Sequence, residues 1–360
     1  LSLDGTSVFP TISSLLPLVP RAPMTAKEEP LFPIVVLGGG AAGSAVLNAL
    51  GDAGLAADTA LVEPSPYHYD QPEWVRVGTE GRDKADTRSP RHANIPSATT
   101  WIQKSATGIQ PDEQIVNMDD GTAVRYEHLV VALGIETLWD RIRGLKSSLG
   151  DQGVCSVYGY EQAERTWEMI RSFSGGRAIF TAPSTPHKGG GAPLQILRRA
   201  ESLWRDTGTR AQTELVFAVA APTGLKEGTY DDLSRHGDKD DVHVYTGYDL
   251  IEVRHEAQEA VFSVTKGRSQ TRQVLPYDLL HVVPPMRPPA LLEESGLAHR
   301  DGPMKGYMEM HPESFQHARF ATVFGVGDAL GVEGEKTGER AREQAASVAQ
   351  ALLRLRAPNK

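Results

Sequence analysis

The chain has 360 residues, 40% of them hydrophobic and 23% charged, the composition of a folded globular protein with room for two domains of roughly 100–200 residues each. A net charge of −9 argues against nucleic acid as a main partner and disfavours nonspecific attachment to anionic membranes. The single cysteine, Cys155, excludes an internal disulfide and any dithiol chemistry within one subunit.

Residues 1–30, rich in Pro, Ser and Leu, are expected to form a disordered extension. They begin at Leu1 and lack a basic leading region, so no secretory signal is expected. Met24 is a candidate start, and Arg21 with no acid from Gly5 to Ala26 keeps a transit peptide as the alternative. Residues 34–43 then read IVVLGGGAAG, and a second apolar run, TALV, ends at Glu63. Strand, glycine turn, helix, strand and acid in this order are a dinucleotide-binding unit. Gly38 permits the turn, Gly40 lets backbone approach a pyrophosphate, and Gly43 lets the helix pack on the sheet. Ala42 joins them at the helix N-terminus, whose free N–H groups favour phosphate, and Glu63 is placed to accept from a ribose.

The polar and aromatic stretch 64–72 contains Gln71 and reads as a loop lining a cofactor cleft. Residues 101–126 alternate around Asp119-Asp120-Gly121 and predict a small antiparallel meander. Residues 129–134, LVVALG, predict a buried strand closed by Gly134. A helix is expected over 161–173, a strand over 177–182, a helix over 194–205 and a strand over 214–220. Later strands of this second unit are expected over 242–253 and 260–265. The proline run 284–289 marks the return to the first domain. Residues 321–328 read ATVFGVGD, a short strand closed by Gly327 and Asp328; with the first motif present, Asp328 is read as an acceptor for the ribityl chain of FAD. A terminal helix over 337–355 carries Ala341, Ala345, Val348, Leu352 and Leu355 on one face.

The fold expected is α/β, with two Rossmann-like dinucleotide-binding domains. The first, binding FAD, spans 31–150 and 275–360; the second, over 151–274, is inserted in it. No apolar run approaches the roughly 20 residues of a membrane span, no metal site is expected, and the location read is cytoplasmic, with peripheral membrane contact left open.

The segments VVLGGGAAG, LVEPSPYHYDQP, YEHLVVALGIE, AIFTAPSTPHKGGGAP, LIEVRHEAQEAVF, LLHVVPPMRPP and VFGVGDA, with Lys336-Thr337 and Gln344, together resemble the sulfide:quinone oxidoreductases, especially their mitochondrial-type branch, over about residues 32–350. The resemblance implies bound FAD, a second domain without its own nucleotide, a small-molecule electron donor and a quinone acceptor. It also implies a relay of two cysteines beside the flavin. Here the corresponding positions hold Gly189, in Lys188-Gly189-Gly190, and Ala329, after Gly327-Asp328. Neither offers a nucleophile. A third cysteine found in some members falls on Tyr158, and Cys155 is read as structural. The chain ends at Lys360, before the amphipathic extension that attaches family members to a bilayer.

A nicotinamide site is not expected, because residues 183–188, PSTPHK, stand where a glycine turn should follow the strand, and proline offers no N–H to a phosphate. His187 and Lys188 are candidates to hold an anion, with solvated loop charges as the alternative. Lys336 is a candidate to stabilise the reduced flavin at its pyrimidine edge. The function expected is FAD-dependent oxidation without the cysteine relay. The alternatives are residual sulfide or thiol oxidation by direct attack on the flavin, and noncatalytic flavin binding.

Overall fold

The computed structural model describes residues 29–220, 242–332, 334 and 336–356, so the extension expected at the N-terminus lies, but for its last two residues, outside the described residues. The first apolar run forms β1 (Leu31–Leu37), and its period-two alternation decides the layering. Ile34 and Val36 pack with Val46, Leu47 and Leu50 of helix α1 (Ala41–Asp52). Val35 and Leu37 face the other way, against Val116, Val124 and Met308. Both faces are therefore covered, as a parallel strand requires.

On one side of β1 follow β2 (Thr59–Val62) and β3 (Thr100–Ile102), both in parallel. Helix α2 (Trp74–Glu80) lies in the connection between them. On the other side, β4 (Ala106–Gln110), β5 (Ile115–Met118) and β6 (Ala123–Val131) form an antiparallel meander whose last strand pairs β1 in parallel. This corrects the expected meander at its start: Trp101 belongs to β3 of the parallel sheet, and antiparallel pairing begins at Ala106.

The second sheet is parallel throughout. Its strands are β7 (Val154–Cys155), β8 (Gly176–Ala182), β9 (Thr213–Val219) and β10 (Val242–Thr246), with helix α3 (Tyr160–Ser172) after β7 and helix α4 (Ala192–Asp206) after β8. Helix α4 presents Ile196, Leu197, Ala200 and Trp204 to Phe180 and Phe217 of the sheet. The opposite face is covered by a three-stranded antiparallel sheet of β11 (Tyr248–Arg254), β12 (Glu259–Lys266) and β13 (Ser269–Pro276), through Tyr248, Leu250 and Phe262.

Two expectations change here. Residues 242–253 are not one strand but parts of β10 and β11, split at Gly247, where φ is +78°, and the two halves join different sheets. The return to the first domain at residue 275 also falls too early. Strand β14 (Leu279–His281) pairs both β7 and β8 inside the second sheet, so the chain leaves that sheet only after His281.

The chain then adds β15 (Val323–Gly325) in parallel to the second half of β6, with Val323 opposite Leu129. Helix α5 (Gly338–Arg356) closes the first domain by packing Ala345, Val348, Ala349 and Leu352 into the cluster with α1. Leu355, expected on this face, is 55% exposed. The last turn is tied down instead by Arg356, bound to Asp58 at 2.9 Å and Glu127 at 3.0 Å.

Candidate functional site

A cleft of about 1400 Å³ opens outside the carboxyl ends of β1, β2, β6 and β15, where open α/β sheets place their ligands. The loop before α4 and the N-termini of α1 and α5 complete its walls. The residues expected at a cofactor site meet here from six separate chain segments.

At one end is the glycine turn. A Cβ on Gly43 would run into the Gly38 carbonyl, so α1 can approach β1 this closely only without a side chain there. Gly40 faces open space, with nothing within 4 Å of an added Cβ, and Ala42 also lines the cleft. Gly43 does its work behind the wall rather than in it. Glu63 lines the cleft and braces the turn: the Gly39 N–H donates to its Oε2 at 2.7 Å and the Ser65 N–H to its Oε1 at 2.8 Å. An ionised carboxylate has about four acceptor positions, so capacity remains for a sugar hydroxyl.

Arg91 completes this end and is not visible in the sequence. It is 3% exposed, donates to the carbonyls of Gly39 and Tyr67, and lies 3.9 Å from Glu63. Nothing in its local context, PRHAN, marks it. Only the packing of the short strands Tyr67–Tyr69 and Arg88–Pro90 against each other brings it under the turn.

At the other end, Lys188, Asp328 and Lys336 converge. The Lys336 ammonium donates to the carbonyls of Asp328 at 2.6 Å and Leu330 at 3.3 Å, and sits 4.5 Å from the centre of the Tyr307 ring. Lys188 donates to Gln71 Oε1 at 2.6 Å. The Gly189 N–H donates to the Lys336 carbonyl at 3.0 Å, which ties the loop before α4 to the loop before α5. Burial lowers the Lys336 pKa to about 8 against the pull of Asp328. Burial likewise lowers Lys188 and raises Asp328, each opposed by the other's charge. Two ammonium groups facing one carboxylate leave this end short of negative charge.

Gly134 and Gly327 line the middle of the cleft, and the Gly327 N–H donates to the buried Gln344 at 2.8 Å. Thr337 caps α5, its hydroxyl accepting from the Arg340 N–H at 3.3 Å. His187 turns back on its own loop, with Nε2 3.2 Å from the Gly190 carbonyl.

The two positions expected to correspond to the relay cysteines differ in placement. Gly189 lines the cleft with φ at +85°. Ala329 is fully buried with Leu292, Leu297, Met308 and Leu330. Cys155 lies in the core of the second domain, 1% exposed, and burial pushes its thiol up to about 12. Tyr158 does line the cleft. Among the described residues, no helix is long and apolar enough to cross a membrane, and no three His, Cys, Asp or Glu residues are grouped to hold a metal ion.

Residues 32–166 match the pyridine nucleotide-disulphide oxidoreductase family. The mitochondrial sulfide:quinone oxidoreductase of Mus musculus is 34% identical over 314 residues, spanning 87% of this chain and 68% of that protein. Its counterpart in Dictyostelium discoideum is 36% identical over 315 residues, again spanning 87% and 68%. The solved sulfide:quinone oxidoreductase of the hyperthermophilic bacterium Aquifex aeolicus shares the fold, with a TM-score of 0.74 at 18% identity over 90% of this chain and 76% of that one. Proteins of one kind are thus 34–36% identical to this chain over 87% of its length, and this chain belongs to the sulfide:quinone oxidoreductase family.

Proposed function

We propose that the chain holds one FAD noncovalently in this cleft and oxidises a small-molecule donor without a two-cysteine relay. Proteins of the family are FAD-dependent oxidoreductases, and the residues of this cleft fit that cofactor. Open space in front of Gly40 and the N-terminus of α1 suit a diphosphate. Glu63 has acceptor capacity left for the adenosine ribose. Asp328 would take a ribityl hydroxyl, with Gly134 and Gly327 giving the chain room beside it. Lys336, Thr337 and the α5 N-terminus would face the pyrimidine edge, where their positive potential suits a reduced, anionic ring. Gln71 would hold the Lys188 ammonium beside the same ring. FAD supplies the two-electron acceptor; this chain's residues bind it, orient it and set the charge around it.

The reading without a relay is supported by one observation: the only thiol in the chain is Cys155, buried away from the cleft, and the resemblance would put the relay at Gly189 and Ala329. Thiolate is the attacking species in such chemistry, and a thiol held near 12 supplies almost none at neutral pH. A second reading, direct oxidation of sulfide or a small thiol at the flavin, is favoured by the Lys188 ammonium beside the open Gly189, which would attract an anionic donor. Electrons would pass to a quinone, the acceptor in the relatives' names. Those names also say mitochondrial, which favours a mitochondrial location over the cytoplasmic one expected.

The test is reconstitution followed by anaerobic mixing. The FAD-loaded protein should hold one flavin per chain and bleach slowly with sulfide or glutathione. Failure to take up FAD would overturn the cofactor assignment; rapid bleaching by sulfide that Cys155→Ser leaves intact would favour the direct reading, and rapid bleaching that Cys155→Ser abolishes would overturn the assignment of Cys155 as structural.

A further inference from the structure

We infer that Arg91 is a positioning residue for the diphosphate-binding turn, acting through Gly39 and Glu63 without touching the ligand itself. The inference rests on the reading of the cleft as an FAD site, and deepens it. Arg91 lies behind the turn, not in the cleft wall, yet its guanidinium is 3% exposed. A buried cation is costly unless it is paired and hydrogen-bonded. The partners here are specific. One Nη donates to the Gly39 carbonyl, the other to the Tyr67 carbonyl, and Nε approaches the Ser65 carbonyl at 3.5 Å. The Glu63 carboxylate lies 3.9 Å away.

Gly39 is therefore held from both sides. Its N–H is fixed by Glu63 and its carbonyl by Arg91 and by the Ser44 hydroxyl at 3.1 Å. Those are the two peptide planes of the middle glycine, and the second carries the Gly40 N–H, so the pair sets the direction of that N–H. A Cβ on Gly39 would meet the guanidinium, at 2.6 Å from Nη1 and 3.0 Å from Glu63 Cγ, so the turn and the clamp are built around one another. The charges matter as much as the geometry. Glu63 faces the cleft where an anionic diphosphate is proposed to sit, and would repel it. Arg91 beneath the turn offsets that charge while leaving Glu63 free to accept from a sugar.

ADP carries the diphosphate and adenosine without the flavin, and is the probe. Binding of ADP and of FAD to the apoprotein should be compared for the parent, Arg91→Met and Arg91→Lys, with the apoprotein melting temperature recorded for each. Loss of charge-assisted bonds predicts that Arg91→Met weakens ADP and FAD alike, by about tenfold or more, at a melting temperature close to the parent's. Arg91→Lys should recover part of the affinity. Arg91→Met binding ADP within about twofold of the parent would overturn the inference. If Arg91→Met does not fold, Arg91→Lys decides: it keeps the charge but not the fork, and parent-like ADP affinity in it overturns the inference equally. A parent that binds neither ADP nor FAD would bring down the FAD reading, and the inference with it.

Discussion

Removing the Lys336 ammonium should change FAD affinity in a pH-dependent way. Burial holds this group at about 8 against its ordinary 10.5, a difference worth on the order of 3 kcal/mol as an upper bound, since solvent at the cleft edge screens part of it. The sign follows directly. Between those two values the unfolded chain binds the proton and the folded apoprotein does not, so apoprotein stability should rise with pH through that window. Lys336→Met should abolish the rise and be the more stable apoprotein at neutral pH. Ligand binding runs the other way. If the ammonium donates to the electron-rich pyrimidine edge of the flavin, neutral in oxidised FAD and anionic once reduced, FAD affinity should be full below about pH 8 and fall above it, by at most about tenfold per pH unit. Fluorescence titration of apoprotein with FAD between about pH 7 and 9.5 reads this directly. Lys336→Met should bind more weakly at neutral pH and lose that slope, and a separate Lys188→Met assigns whatever slope belongs to its neighbour. An affinity that is flat across the range, or that falls as steeply in Lys336→Met, would refute the placement of Lys336.

Asp328→Ala should weaken flavin retention by about 1–3 kcal/mol, the usual cost of losing one buried partner, with little change in the apoprotein's melting temperature; equal retention on dialysis would count against its role. NADH and NADPH should reduce the flavin slowly or not at all, because residues 183–188, PSTPHK, directly follow β8 where a nicotinamide domain needs a glycine turn, and stopped-flow bleaching at a catalytic rate would contradict this. Gly189→Cys should cost roughly 1 kcal/mol in thermal stability, since φ there is +85° and a side chain strains that conformation. Combined with Ala329→Cys, it should leave all three thiols, Cys155 included, free on titration of the unfolded chain, because the side chain at 329 is in the core and that at 189 is on the cleft. A disulfide formed without loss of FAD would show the two positions to be closer in function than their burial suggests.

The first nucleotide unit was legible because its requirements are local. Turn, helix start and acid lie within thirty residues and each has a short-range physical reason; Gly38 turns with φ of +93°, whereas the bracing of Gly39 by Glu63 was not legible in the sequence. The terminal helix was legible from its apolar spacing up to Leu352. What escaped depended on distant partners. Arg91 has meaning only once two short strands fold it under the turn. Strand β13 is exposed along its first six residues, so its sequence SQTRQVLP carries no apolar period to find. Strand β14 is three buried residues whose membership of the second sheet depends on β7 and β8 flanking it. Gly247 interrupts a run that otherwise alternates as one strand. Ala329 could be aligned with a relay position, but its direction into the core is set by the packing of Met308 and Leu330.

Steady-state oxidation of sulfide by the FAD-loaded protein, with a soluble quinone as acceptor and the Cys155→Ser variant beside the parent, tests the central claim most directly. Turnover should be far below that of the family's two-cysteine members, and identical in the variant, because the only thiol is buried and off the cleft. Fast turnover that the serine variant abolishes would show that Cys155 reaches the flavin, and would contradict the account.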